Sequence, residues 1–326
     1  VTRGLIIIAV FLSAVQSSTQ QQTFRSGVEV IRVPVFVADG TQPIVDLTAG
    51  DFTLLDLNVP QIIRLMPLDR EAVDVTLVLD VSGSVQGRTL DKLRADVDQI
   101  ADSLELNDRV RLITFGENVT DVFGFQPGGA HLPVERIAAG GVTSLYAALA
   151  AALIVDPSNE RPQLVFAVTD GIDNASFLDA NRVAALASLS SASLYIALVD
   201  SSQPVHRFAD ANDPLSGERS TLTYTPSKGS AYERYPVVTR TAGPYVLGPN
   251  VSALKAAATH TGGALYDKTS GSLPAHFKRA LDDFRTGYLL SYTPTGVPHG
   301  GWHDIVVRTR HPRYTVRARR GYDGGA

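Results

Sequence analysis

The chain has 326 residues and a formal net charge of −4, with 44% hydrophobic and 19% charged residues. This is ordinary globular chemistry, with no basic excess to recommend nucleic acid or an anionic membrane surface. The absence of cysteine excludes disulfides, thiolate metal sites and a cysteine nucleophile, so any fold must be held by its core.

Residues 1–17 read as an export signal: Arg3 gives a positive start and Gly4 to Val15 an apolar run too short to span a bilayer. The expected location is therefore periplasmic or secreted, with no transmembrane segment after signal removal. Val28 to Val37 is apolar and β-branched on both alternating faces, which predicts a strand covered on both sides. Strands are also expected near Phe52 to Asp56 and Gln61 to Met66, with a turn at Leu57-Asn58.

The pattern changes at Val73. Val75 to Leu79 and Gln163 to Thr169 are continuously apolar, as central parallel strands are. Leu90, Leu93, Val97, Ile100, Ala101 and Leu104 share one helical face. Arg111 to Phe115 and Thr120 to Phe125 are joined by too few residues for a crossover and should form an antiparallel hairpin. Helices are expected at Leu145 to Ile154, Ala180 to Leu189, Val251 to Thr261 and Pro274 to Arg285, with strands at Leu194 to Val199 and Ala264 to Tyr266. Strand and helix alternation predicts a doubly wound, mostly parallel α/β sheet with one antiparallel edge strand. Ser201 to Asn250, rich in Ser, Pro, Thr and Tyr, interrupts it as a long insertion. Strands return at Tyr288 to Tyr292, Trp302 to Thr309 and Tyr314 to Arg319. The expected organisation is an α/β domain at 73–286 inserted into a β-sandwich pooled from residues 18–72 and 287–326, since either end alone has too few strands. The partly alternating basic tail, Arg308 to Arg320, is expected to form the wet face of a strand, and His303 and His311 to be surface or packing residues.

Oxygen-bearing side chains gather where strands end. Asp80 closes one apolar strand and opens Asp80-Val81-Ser82-Gly83-Ser84; Asp170 closes another; Thr143 follows Gly140-Gly141-Val142 ahead of a helix. Ligands of open α/β sheets bind beyond the carboxyl ends of the strands. Carboxylates and hydroxyls are hard ligands suited to Mg²⁺, with Mn²⁺ or Ca²⁺ as alternatives. Asp80, Ser82, Ser84, Thr143 and Asp170 are thus the expected metal ligands, with Ser144, Asp173 and Asn174 around them. Two formal charges balance a divalent ion and leave it electrophilic, ready for an Asp or Glu side chain of a partner protein.

Asp80 to Ser84, Gly140 to Leu145 and Val168-Thr169-Asp170-Gly171 resemble the metal-ion-dependent adhesion site of von Willebrand factor A (VWA) domains, also found in integrin I domains. The resemblance covers roughly Val73 to Arg285 and implies a metal at the top of the sheet, with Asp80 and Asp170 acting through water and the hydroxyls directly. Val142 is an extra residue relative to the usual Gly-Gly-Thr, with Ser144 as the alternative donor. The flanks Phe24 to Val28, Leu47 to Phe52, Val59-Pro60-Gln61 and Arg317 to Tyr322 are similar to an exported family labelled VWA-related, acidobacterial type.

The functional expectation is an exported, non-catalytic, metal-dependent protein-binding module. The alternatives are a structural envelope module in which metal only supports the fold and, more remotely, a metal-dependent hydrolase. A phosphotransferase beginning on a strand-terminal aspartate would need a second carboxylate two residues on, where Ser82 stands. No Gly-x-Ser-x-Gly elbow and no His-Glu-x-x-His pair is present.

Overall fold

The computed structural model describes residues 30–82, 87–154, 161–199, 250–267 and 271–324. The expected export signal, Ser84 and nearly all of the 201–250 insertion lie outside them. In chain order the strands are β1 (Ile31–Asp39), β2 (Gln42–Pro43), β3 (Phe52–Asp56), β4 (Val59–Pro60), β5 (Arg64–Pro67), β6 (Asp74–Asp80), β7 (Arg109–Phe115), β8 (Val119–Pro127), β9 (Gln163–Thr169), β10 (Ser193–Leu198), β11 (Ala264–Tyr266), β12 (Tyr288–Tyr292), β13 (Trp302–Thr309), β14 (Thr315–Ala318) and β15 (Gly321–Asp323). The helices are α1 (Arg88–Asp102), α2 (Leu145–Ile154), α3 (Ala180–Leu189), α4 (Val251–His260) and α5 (Leu273–Arg285).

The central sheet has the order β11-β10-β9-β6-β7-β8. Its pairings are parallel except β7 with β8, so one antiparallel strand closes an edge, as the short 116–118 loop requires. The chain winds from β6 through α1 to β7 on one side, and from β9 through α3 to β10 on the other. Strand order therefore reverses between β6 and β9, and the crevice at their carboxyl ends is the topological switch point.

Both faces of this sheet are covered. Leu77, Leu79, Leu112 and Phe166 pack with Val97 and Ile100 of α1 and Phe277 and Phe284 of α5. Val78, Ile113, Val165 and Ile196 pack on the other face with Leu149, Val183 and Leu254 of α2, α3 and α4. Burial on both faces explains why these strands are continuously apolar instead of alternating. Each fully buried leucine- or phenylalanine-sized side chain adds roughly 1.5–3 kcal/mol of transfer free energy. Helix α5 starts cleanly because Ser272 accepts the Ala275 N–H and Pro274 occupies the first turn, where its missing donor costs nothing.

The amino edge of the sheet is tied by a buried carboxylate. Asp108 accepts the backbone N–H of Val73 (2.9 Å) and of Glu105 (3.0 Å), and Nη2 of Arg285 at the end of α5 (2.7 Å). Asp108→Ala strands these donors, and we expect it to lower folding stability by about 3 kcal/mol. The check is a fall in urea midpoint at unchanged slope.

Two further sheets draw strands from both ends of the chain. One has the order β14-β1-β12-β5, with β2 on β1; the other runs β15-β13-β3-β4. β1 lies antiparallel between β12 and β14, and β3 antiparallel to β13. Ile31, Val33, Val35, Phe52, Leu54, Tyr288, Leu290 and Ile305 share one apolar cluster. The opposite side of β1 sends Phe36 into the core under α5, which explains the double-sided apolar pattern of that strand.

Several sequence expectations need correction. The strand expected from Gln61 to Met66 begins only at Arg64, as β5, and Val59–Pro60 forms the separate, unexpected strand β4. Leu57 and Asn58 both take positive φ (46° and 66°), folding β4 back onto β3 before β5 joins the other sheet. Between them the side chain of Gln61 bonds the Thr295 backbone through both its amide nitrogen and its oxygen, so side-chain bonds replace the ladder there. The short strands β2 and β15 were not expected. The basic tail is a wet face only in part: Arg308, Arg310, Arg313 and Arg320 are exposed, whereas Arg317 and Arg319 turn inward. Arg319 is 6% exposed, and Arg317 pairs with Asp283 at 2.6 Å while its guanidinium lies over the Phe36 ring. These partners come from distant elements, so alternation along β14 alone misreads their environment. Among the described residues, no helix is long and apolar enough to cross a membrane.

Candidate functional site

The register places Asp80 and Asp170, two of the expected ligands, at the switch point. Leu79 of β6 is level with Val168 of β9, so Asp80 and Asp170 leave the sheet on neighbouring strands, one residue out of step. Both are half-buried. Each carboxylate accepts a backbone N–H from two residues on: Asp80 Oδ1 from Ser82 at 2.7 Å, and Asp170 Oδ1 from Ile172 at 3.0 Å. These bonds orient the carboxylates at the strand ends. Burial pushes the Asp80 carboxyl above the ordinary carboxylate value, the Ser82 backbone bond opposes this, and the charge of Asp170 adds to the rise. Among the described residues, no basic side chain forms an ion pair with Asp80 or Asp170.

Ser82 is half-buried directly after Asp80. Thr143 is also half-buried and is clasped to the loop after β9: its N–H donates to Asn174 Oδ1 (2.7 Å), and its carbonyl accepts from Asn174 (3.0 Å) and Ala175 (3.1 Å). The same loop caps α2. Asp173 accepts the Tyr146 N–H at 2.8 Å, and Ser176 Oγ accepts the Ala147 N–H at 2.9 Å. Two of the helix's orphan donors are thus satisfied from another segment. Asp173 and Asn174 are engaged in loop and helix capping, and Ser176, which also donates to Asp173, completes that network. An Asp-x-x-Ser spacing was the sequence signal for Ser176. The hydroxyl of Ser144, the alternative to Thr143, is buried and donates to the Gly116 carbonyl at 2.6 Å.

Close backbone packing brings these loops together. The Gly140 N–H donates to the Val81 carbonyl at 2.8 Å, and a Cβ at Gly116 would sit 2.5 Å from the Gly140 carbonyl oxygen. Gly141 takes φ +79°, and a Cβ there would lie 2.3 Å from Cβ of Glu117. Only glycine lets these segments converge beside Asp80. The need for glycine at 116 is a long-range contact and is not legible locally.

The donor set is two carboxylates and hydroxyls, all hard oxygen. Two neighbouring carboxylates repel each other in a half-buried setting, and a divalent cation between them would cancel that repulsion. The residues therefore fit such an ion. Among the described residues, no group of three or more His, Asp or Glu side chains forms a competing metal cluster.

The family model of the von Willebrand factor type A domain matches residues 74–227. Among solved structures, the chain is similar to an aerotolerance-related membrane protein from Bacteroides fragilis NCTC 9343, at 18% identity and TM-score 0.38 over 65% of this chain and 98% of that one. It is similar to the conserved hypothetical protein BatB from Bacteroides thetaiotaomicron, at 17% identity and TM-score 0.41 over 66% and 98%. It is also similar to the manganese-loaded TRAP protein of Plasmodium vivax, at 15% identity and TM-score 0.36 over 81% and 98%. A search of curated proteins returns no match. The mixed α/β sheet with its two strand-end aspartates thus lies largely within a segment, residues 74–227, that matches the von Willebrand factor type A domain over just under half of the chain.

Proposed function

We propose that the chain is an exported, non-catalytic binding module that holds a divalent cation, Mg²⁺ or else Mn²⁺ or Ca²⁺, through Asp80, Ser82, Ser84, Thr143 and Asp170, and captures an Asp or Glu side chain of a partner protein. VWA domains often mediate protein–protein interaction and adhesion, and the match of residues 74–227 to that family supports this reading. The observation that most supports metal-dependent capture is the pair of half-buried carboxylates at the switch point, on adjacent strands and without a basic partner among the described residues. When bound, the cation supplies an electrophilic position for an incoming carboxylate. The chain's own residues orient that position. Backbone bonds aim Asp80 and Asp170, the clasp to Asn174 and Ala175 fixes Thr143, and the glycines at 116 and 141 let the loops close. No carboxylate stands two residues after Asp80 to move a proton, which favours capture over turnover.

In the same reading, residues 1–17 are an export signal, and the terminal sheets form one β-sandwich, from 18–72 and 287–326, interrupted by the α/β domain at 73–286. The pairing of β1 with β12 and of β3 with β13 supports this.

The test is pull-down from the native envelope or culture medium with Mg²⁺ and with EDTA, alongside calorimetry with Mg²⁺ and Mn²⁺. We expect metal binding, and a captured protein that EDTA releases. A chain that binds neither ion sinks the proposal. Loss of melting temperature on chelation, with capture unchanged, would replace it by the structural reading.

A further inference from the structure

Resting on that metal reading, we infer that the site takes a carboxylate followed or preceded by an apolar side chain, which packs on Phe177 and Val142. Phe177 is 102% exposed and Val142 48% exposed. A phenyl ring in full contact with water contributes nothing to this chain's own core. Both residues border the proposed ligand set. Val142 immediately precedes Thr143, and Phe177 follows by two residues Ala175, whose N–H bonds the Thr143 carbonyl. The loop carrying Phe177 is tied at both ends. Asp173 holds Ser176 and the start of α2, and Asp179 accepts the Arg182 N–H at 2.9 Å as the cap of α3. The ring is presented on an anchored loop, which reduces the ordering cost of binding. The other large apolar side chains exposed among the described residues lie on the terminal segments or, like Leu106, Ile154 and Leu189, at the opposite edge of the central sheet. An aromatic contact next to a charged anchor is the composition expected at the centre of an interface.

Charge complementarity selects the occupant. Asp80 and Asp170, with a divalent ion between them, favour an anion, while the flanking surface offers an aliphatic and an aromatic side chain. A leucine-sized residue beside the ligand carboxylate would cover both, whereas a polar flank would leave the phenyl ring in water.

The probes are three blocked tripeptides, acetyl-Leu-Glu-Leu-amide, acetyl-Gly-Glu-Gly-amide and acetyl-Leu-Gln-Leu-amide. They are titrated by NMR against the full chain in Mg²⁺, with Mg²⁺ affinity measured separately by calorimetry. We expect the leucyl glutamate peptide to bind about tenfold more tightly than the glycyl one, the gain of burying part of an aliphatic side chain. In a Phe177→Ala, Val142→Ala variant the ratio should fall to about twofold or less while Mg²⁺ affinity is unchanged. An unchanged ratio in that variant, or a Mg²⁺-loaded wild type that binds no peptide, overturns the inference and leaves the metal reading standing. A wild type that binds no Mg²⁺ overturns the metal reading and this inference with it, and one that binds the glutamine peptide equally well overturns carboxylate capture and this inference while leaving metal binding intact.

Discussion

Asp56→Ala is expected to cost about 4 kcal/mol of folding stability, because three buried donors lose one acceptor and each costs about 1–3 kcal/mol when unpaired. Asp56 is fully buried at the end of β3. Its Oδ2 accepts the hydroxyls of Tyr292 and Tyr322, both at 2.9 Å, and its Oδ1 lies 2.8 Å from Nδ1 of His303, which is 2% exposed. The ring of Tyr322 stacks on His303 with centroids 4.6 Å apart. One carboxylate thus joins β3, β12, β13 and β15, strands from both ends of the chain and from both terminal sheets. Burial, and then the bond to Asp56, push the Tyr292 phenol well above the ordinary tyrosine value, so it stays a donor throughout the physiological range. The measurement is urea unfolding followed by far-UV circular dichroism. Adding Tyr292→Phe and Tyr322→Phe to the Asp56→Ala chain should recover part of the loss, since it removes stranded hydroxyls. A loss below about 1 kcal/mol would mean that the network is satisfied by water and does not join the sheets.

The second large effect is on metal affinity and carries an opposite sign on stability. Asp80→Ala removes one of the two charged ligands proposed for the cation. Mg²⁺ affinity should fall by about 100-fold, or about 2.7 kcal/mol. Without metal, the same substitution relieves the repulsion between Asp80 and Asp170 and removes a half-buried charge, so the metal-free variant should be at least as stable as the metal-free wild type. Mg²⁺ at about 100 times the wild-type dissociation constant should stabilise the wild type by about 2.7 kcal/mol and the variant by only about 0.4 kcal/mol. Denaturant titrations of both chains with Mg²⁺ and with EDTA give the four numbers. A variant stabilised by Mg²⁺ as much as the wild type would place the ion elsewhere. A metal-free variant much less stable than the metal-free wild type would make Asp80 a structural residue.

The strands and helices of the α/β unit were legible because their signals are local. Val75 to Leu79 and Gln163 to Thr169 read as central strands, since burial on both faces demands unbroken apolar runs. Leu90 to Leu104 read as an amphipathic helix because one face meets the sheet. Asp80 and Asp170 stood out because each follows such a strand, and their convergence needed only the rule that ligands gather at carboxyl ends. The terminal strands were legible as strands, but the splitting of β4 from β5 depended on two positive φ angles and on the bonds of Gln61 to Thr295, far along the chain.

By itself, then, the sequence determined the alternation of strand and helix, the antiparallel edge hairpin and the oxygen-rich strand ends, since each follows from neighbours within one element or one turn. Tertiary structure alone decided what lies across a gap. It turned Arg317 and Arg319 inward, placed Ser144 against Gly116, gave Asp173 to the start of α2 and left Phe177 in water on the loop that clasps Thr143. It also closed Asp56, His303, Tyr292 and Tyr322 into one buried network. A side chain's polarity says that it needs a partner, but only the packing of distant segments says which partner arrives.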